Sequence, residues 1–125
     1  MNEHGEVSVT VEGIVVRSRP RFSSNTEAID RNWKLITAAA SELDRWILWA
    51  DAESNFALTP DSLERVITVT KKLKDLGCVG FAMTLSSPMI VFYSEKIAEK
   101  IPIPFLASES VPEIRKFITT LIANS

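Results

Sequence analysis

The sequence contains little of the chemistry on which most enzymes and metal sites depend. Of its 125 residues, one is cysteine, one is histidine and four are glycine. The single cysteine, Cys78, excludes an internal disulfide and favours a reducing compartment. The only histidine, His4, lies in an N-terminus that is expected to be frayed, so no Cys–His catalytic pair is expected. One Cys and one His far apart in the chain also cannot make a tetrahedral metal site. With no glycine-rich phosphate loop either, we expect a protein with no cofactor, no metal and no catalytic centre.

The net charge and the hydropathy of the chain narrow the functional class of the protein further. The net charge of −2 argues against a nucleic-acid-binding protein, which usually carries a basic face. The short basic cluster of Arg17, Arg19 and Arg21 is interpreted as a solvated strand end that could also hold an anion. No apolar run approaches the ~20 residues of a membrane span, and the first residues lack the pattern of a signal peptide. We therefore predict a soluble cytoplasmic protein that folds as a single domain over residues 1–125.

Strands are predicted from two kinds of apolar pattern. Residues 7–11 alternate apolar and polar side chains, and the Glu12-Gly13 turn leads into a second strand, which predicts a β-hairpin. The apolar runs at 46–50 and 79–85 are typical of strands that are covered on both faces. Residues 102–106 predict a strand at the edge of the sheet, because their two prolines lack amide donors.

Helices are predicted between these strands from their start and stop signals. Capping boxes at 24–27 and 110–113 and the pair Ser87-Pro88 each begin a helix. The stretch 59–77 predicts one continuous helix that ends at Gly77. Spacings of three and four residues assign the inward faces of three helices: Ile29, Trp33, Ile36, Ala40 and Leu43; then Leu63, Val66, Ile67, Thr70, Leu73 and Leu76; then Ile114, Phe117, Ile118, Leu121 and Ile122.

The resulting order is β-β-α-β-α-β-α-β-α, an alternation that indicates an α/β fold with a mainly parallel sheet and right-handed crossovers. This order and its landmarks resemble the STAS domain, the SpoIIAA-like family of bacterial anti-sigma factor antagonists. Residues 7–22 look like the paired N-terminal strands of that family, and 46–51 resembles its central strand, which ends in an acidic residue. Residues 66–77 look like the helix after the family's signature loop, and Ser86-Ser87-Pro88 is similar to the Ser-Pro that opens its next helix. The resemblance implies regulation through protein contacts.

The signature motif of the antagonists is altered in this chain. Their Asp-Ser-Ser-Gly-Leu-Gly, in which a partner kinase phosphorylates the second serine, corresponds here to Thr59-Pro60-Asp61-Ser62-Leu63-Glu64. If Leu63 matches the motif's leucine, Asp61 takes the phosphorylated position as a fixed negative charge. If one residue is gapped, Ser62 becomes the acceptor. The motif glycine is missing in either case, so a standard phospho-switch is not expected. The same residues also make an ordinary helix start, and that interpretation stays open.

Asp51 is a second candidate, because ligands gather at the carboxyl ends of parallel strands. Response-regulator receivers carry their phosphate-accepting aspartate at such a place, but they also need an acidic pair after the first strand. Arg17, Ser18 and Arg19 stand there instead, so we reject a receiver. The structural alternative is that Asp51 binds backbone amides of the loop that follows it.

Apolar and aromatic side chains exceed what one core requires in two places. Met89, Val91 and Phe92 belong to a helical turn that is apolar all round, which predicts either a partner surface, such as a homodimer interface, or a face covered by another part of the chain. Trp46 and Trp49 are expected on opposite faces of their strand. One of them would join Trp33 in the core. The alternative is that the tryptophans line a cavity for a lipid or small molecule.

These observations lead to one function and one alternative. We predict a non-catalytic regulatory module that binds a protein partner, with a kinase-type regulator as one candidate. Its contact residues would be Asp51, Ser54, Thr59, Asp61 and Ser62. The alternative is a carrier or sensor of a lipid or small hydrophobic molecule, with a pocket near the helix that contains Met89 and Phe92.

Overall fold

The computed structural model describes residues 7–20, 23–24, 26–51, 57–58, 60–84 and 90–124. Its strands are β1 (Val7–Glu12), β2 (Val15–Pro20), β3 (Ser23–Ser24), β4 (Trp46–Asp51), β5 (Ala57–Leu58), β6 (Cys78–Thr84) and β7 (Phe105–Ser108). Its helices are α1 (Thr26–Ala40), α2 (Pro60–Thr70), α3 (Ile90–Lys100) and α4 (Val111–Ala123), with a short 3-10 helix at Lys74–Leu76.

Five of the strands form one sheet in the order β1-β2-β4-β6-β7. β1 and β2 pair antiparallel as the predicted hairpin, and the other neighbours in the sheet pair parallel. An α/β architecture with a mixed five-stranded sheet flanked by helices is therefore confirmed. The strands β3 and β5 form a separate parallel ladder. They were not predicted, because two residues are too few to show a strand periodicity.

The strands β2, β4, β6 and β7 follow one another in a single direction across the sheet, and this determines where the helices lie. Right-handed crossovers that always step in the same direction place their helices on the same face. Accordingly α1, α2 and α3 contribute Ile36, Leu63 and Ile97 to one apolar cluster. Helix α4 follows the last strand and contributes Ile114 and Ile118 to the cluster on the opposite face.

The central strand β4 supplies side chains to both apolar clusters. Trp46 and Leu48 belong to the cluster beneath α1, α2 and α3, whereas Ile47 and Trp49 belong to the cluster beneath α4. None of the four is more than 2% exposed. This confirms the prediction of a strand that is buried on both faces.

The indole N–H groups of the two buried tryptophans are both paired. Trp46 Nε1 donates to the carbonyl of Leu76 at 2.8 Å, and Trp49 Nε1 donates to Thr84 Oγ1 at 2.8 Å. The half-buried Trp33 packs against the cluster that contains Trp46. The expected opposite orientation of Trp46 and Trp49, and the place of Trp33, are therefore confirmed.

The helix predicted over 59–77 is shorter than expected. α2 ends at Thr70, where the threonine hydroxyl bonds back to the carbonyl of Val66 at 2.7 Å. After Thr70 the backbone hydrogen bonds join residues three apart, as when Leu73 N donates to Thr70 O. This tighter segment ends at Gly77, which has a φ of 90°. Leu73 is buried, but Leu76 is 46% exposed, so its inward assignment is wrong. The tighter winding rotates Leu76 away from the face that α-helical spacing predicted.

The final helix begins as predicted and diverges at its end. Ser110 Oγ accepts a hydrogen bond from the amide of Glu113 at 3.3 Å, which is one half of the expected capping box. Ile114 and Ile118 are buried, but Ile122 is 45% exposed, so its place on the apolar face is wrong. Two steps of four residues turn the helix by about 80° beyond whole turns, which carries Ile122 off the buried face.

The remaining strand and helix boundaries also bear on the predictions. β7 lies at the sheet edge, as expected, but it starts at Phe105, after the two prolines. Ser87-Pro88, predicted to begin a helix, lies outside the described residues, and α3 is assigned from Ile90. None of the helices in the described ranges has the length and apolar composition that crossing a membrane requires.

Replacing Gly77 by alanine should destabilise the protein more than replacing Gly13. Both glycines have positive φ, 90° and 62°, so alanine costs ~1–2 kcal/mol at either position. At Gly77 a Cβ would also lie 2.6 Å from the carbonyl oxygen of Asp44, whereas nothing lies within 4 Å at Gly13. In urea unfolding we expect Gly77→Ala to lose at least about 1 kcal/mol more than Gly13→Ala. Equal losses would contradict this account of the contact with Asp44.

Candidate functional site at the carboxyl edge of the sheet

Asp51 ends β4, and an arginine of the neighbouring strand holds its carboxylate. Arg17 Nε and Nη2 both donate to Asp51 Oδ2, at 3.0 and 2.5 Å. Arg19 Nε lies 3.7 Å from the same oxygen, and Glu12 Oε2 lies 4.0 Å from Arg17 Nη1. The side chains of Arg17 and Asp51 are only 12% and 16% exposed. Their attraction is therefore screened less by water than that of a surface ion pair.

This ion pair changes two interpretations of the sequence. The loop whose amides Asp51 was expected to bind, residues 52–56, lies outside the described residues, and the contact that the structure does show is with Arg17. Arg17 is not a solvated strand end, because strand alternation turns it toward α4, where Asp51 neutralises it. Arg19 is 52% exposed, as a solvated strand end should be, and Arg21 is not among the described residues.

Trp49 connects this ion pair to α4. Arg17 Cζ lies 4.0 Å from the centroid of the Trp49 ring, which is its register partner across β2 and β4. Arg115 Cζ, from α4, lies 5.1 Å from the same ring. A guanidinium group over an indole is attracted by the negative face of the ring. Residues from two strands and a helix therefore meet around one aromatic side chain.

Sequence reasoning missed this grouping. Arg17, Trp49 and Asp51 were each noted in the sequence as candidate residues. Strand alternation also puts Trp49 and Asp51 on the same face of β4. The missing information was the register between β2 and β4 and the placement of α4 above them. Both are set by pairings distant in sequence, which no local pattern encodes.

The first turn of α2 contains part of the segment that was compared with the STAS signature motif. Asp61 is exposed and Leu63 is buried, at 6% exposure. Ser62 lies in the same turn, but only its backbone is described, and Ser54 and Thr59 lie outside the described residues. Of the predicted contact residues, the structure thus places Asp51 at the end of β4 and Asp61 at the start of the helix that follows. Asp51 is engaged in an ion pair, and Asp61 presents its carboxylate to solvent.

The side chains of the predicted apolar patch lie outside the part of the chain that the structure describes. Val91 and Phe92 lie in α3, with their backbone alone described, and Met89 lies outside the described residues. A homodimer interface or a lipid pocket at this helix therefore stays a prediction.

Cys78 is buried at the start of β6, as expected of an inert thiol. Burial raises the pKa of the Cys78 thiol from 9.0 to about 11, and backbone hydrogen bonds at Gly80 and Leu48 offset this only in part. A thiol with so high a pKa is a poor nucleophile near neutral pH. Within the described ranges, no group of three or more His, Cys, Asp or Glu side chains is arranged to hold a metal ion.

Neutralising Asp51 should cost more stability than neutralising an acid of an exposed ion pair. Asp51→Asn leaves the partly buried Arg17 without its main partner, and we expect a loss of about 1–3 kcal/mol in the free energy of unfolding. The matched control is Asp30→Asn. Asp30 Oδ1 lies 3.4 Å from Arg65 Nε, and these side chains are 48% and 44% exposed, so the loss there should stay below ~0.5 kcal/mol. Similar losses for the two variants would show that burial adds nothing to the Arg17–Asp51 pair.

The Cys78 thiol should make stability fall at high pH. The pKa of Cys78 is raised on folding, so the contribution of the thiol is complete below pH 9 and is lost as the pH rises toward 11. A difference of two pKa units corresponds to about 2.7 kcal/mol. Between pH 9 and 11, wild type should therefore lose about 2 kcal/mol more than Cys78→Ala, which has no thiol to titrate. Parallel pH profiles for the two proteins would contradict the raised pKa.

No protein-family model, no curated protein and no solved structure matches this chain. The resemblance to STAS domains therefore remains a hypothesis drawn from the order and spacing of sequence motifs. The general α/β class, the grouping of Arg17, Trp49 and Asp51, and the exposure of Asp61 come from the structure.

Proposed function

We propose that this chain is a non-catalytic regulatory module that binds a protein partner, with the carboxyl end of β4 and the first turn of α2 as its contact surface. The observation that carries the proposal is the contrast between two neighbours in that turn. Leu63 is buried in the core, whereas Asp61 is exposed. The turn is thus anchored to the domain by its leucine while its acid is directed to solvent.

The position of Asp61 favours recognition by charge. A carboxylate in the first turn of a helix is stabilised by the positive end of the helix dipole, so its charge is well tolerated there. Such a charge on the rim of an interface mainly speeds association and selects partners of opposite sign. A basic surface on a regulatory protein, such as a kinase-type regulator, is the complementary partner.

The surroundings of the turn support a preorganised surface. The short β3–β5 ladder ties together the segments that precede α1 and α2. The Arg65–Asp30 ion pair links α2 to α1 on the outside. A surface that is ordered before binding loses less conformational entropy on association.

The altered motif suggests a permanent negative charge in place of one that depends on phosphorylation. Under the ungapped correspondence with STAS antagonists, Asp61 supplies a permanent negative charge at the position that is phosphorylated in that family. Under the gapped correspondence, phosphorylation of Ser62 would add further charge to the same turn. Both correspondences direct a partner to α2, and they differ in whether binding is regulated by a kinase.

The proposal is tested by binding with charge-matched variants. The partner is captured with tagged protein from the native cell, purified, and titrated against wild type, Asp61→Asn and Asp75→Asn. Asp75 is an exposed acid at the other end of the same chain segment, in the 3-10 helix. We expect Asp61→Asn to weaken binding about tenfold, mostly through slower association at low salt, and Asp75→Asn to bind as wild type does.

Two further results decide the details. Equal affinity of both variants for every captured partner would contradict a contact surface at the start of α2. Ser62→Ala and intact-mass analysis of the native protein separate the two correspondences. A phosphate that is present on wild type and absent from Ser62→Ala supports the gapped one, and an unmodified native protein supports the fixed charge of Asp61.

A further inference from the structure

The sheet face that α4 covers has an open side, and a small cleft lies there. α4 packs on β6 and β7, while Ser8, Thr10 and Glu12 of β1 remain exposed. Between α4 and the hairpin is a cleft of about 210 Å³, lined by Glu12, Val15, Trp49, Arg115, Ile118 and Thr119. This volume is below the ~300 Å³ at which drug-sized sites begin, so the cleft suits a small molecule.

The floor and the rim of the cleft differ in character. Val15, Trp49 and Ile118 form the floor, and their exposure is 9%, 2% and 6%. Glu12, Arg115 and Thr119 are exposed residues at the rim. An apolar floor with a few polar groups at its margin is the usual composition of a small-molecule site.

The two guanidinium groups over Trp49 have different partners. Arg17 is neutralised by Asp51 and also approached by Glu12. Arg115 lies 5.1 Å from the Trp49 ring, and within the described part of the chain no carboxylate comes within 4.0 Å of it. The ring holds the Arg115 guanidinium at the cleft, and its forked donors stay available for an anion. Carboxylates fit such a fork in bidentate fashion.

We propose that this cleft binds a small monocarboxylate with an apolar body. The carboxylate accepts hydrogen bonds from Arg115, and the apolar body covers Val15 and Ile118 beside Trp49. Glu12 repels a second negative charge, so the site favours monoanions over dianions and inorganic phosphate. This inference concerns the α4 face and does not rest on the partner surface at α2.

The probe for the test is 4-methylpentanoate, which combines one carboxylate with a branched apolar body. It is titrated into ¹⁵N-labelled protein while the indole N–H signal of Trp49 is followed. The signal is a suitable reporter, because Trp49 lines the cleft and its N–H is held in place by Thr84 Oγ1. A ligand of so few atoms is expected to bind with a Kd on the order of millimolar.

Substitutions of two neighbouring cationic residues distinguish specific binding from general electrostatic attraction. Arg115→Gln should weaken binding at least about tenfold, because it removes the charged fork. Lys116→Gln changes the net charge equally at the next exposed position of α4 and should leave the Kd unchanged. Both positions are exposed, so both variants should fold, and their amide spectra verify this.

The chemistry of the probe supplies the remaining controls. 4-Methylpentanamide keeps the apolar body without the charge, and it should bind at least about tenfold more weakly. Inorganic phosphate should leave the Trp49 signal in place. The proposal is overturned if the Trp49 signal does not respond saturably to 4-methylpentanoate, or if Arg115→Gln responds as wild type does. A response to phosphate as strong as that to the carboxylate would indicate an adventitious ion only and would overturn it as well.

Discussion

The burial of β4 on both faces is the constraint on which the rest of the structure depends. A strand in the middle of a parallel sheet must find apolar cover above and below, and Trp46, Ile47, Leu48 and Trp49 direct their side chains alternately to each side. The two large indoles occupy opposite clusters, so β4 contributes one large aromatic side chain to each. Their N–H groups need acceptors in the dry interior, and the carbonyl of Leu76 and the hydroxyl of Thr84 provide them. The central strand thus fixes the positions of the 3-10 helix and of the end of β6.

The direction of winding makes the two faces of the sheet unequal. Three crossover helices cover one face, because every crossover steps the same way, and α4 is the one helix of the described ranges that lies on the other. A single helix cannot cover a sheet of five strands. Ser8, Thr10 and Glu12 of β1 and Arg19 of β2 therefore face outward beside α4. Arg17 is largely buried where the covered and open parts of that face meet. The ion pair with Asp51 and the cation–π contact with Trp49 both arise at this boundary.

Much of the fold could be predicted from local patterns, and the departures have physical causes. The hairpin, the central strand and the start of α4 each carried a strong local signal, and each was found where expected. Leu76 and Ile122 were misassigned because ideal helical spacing was extended over a chain that tightens after Thr70 and over a helix whose four-residue steps drift from the buried face.

The candidate site was predictable to a lesser degree. Asp51 and Asp61 could be selected from sequence, since one ends an apolar run and the other begins a helix. That Arg17 binds Asp51, and that Arg115 reaches Trp49, depended on strand register and on the seating of α4. These are pairings between residues far apart in the chain. A local sequence pattern does not encode such long-range pairings.

The sequential order of the sheet also bears on how the chain folds. Each strand of the five-stranded sheet pairs only with the strand that comes before or after it within that sheet, so no pairing has to enclose more than one of the helices α1, α2 and α3. Loop-closure entropy rises with the length of chain enclosed, and folding rates fall as contacts become less local. The domain can therefore grow from its N-terminal hairpin by adding one helix and one strand at a time, without first closing a long loop.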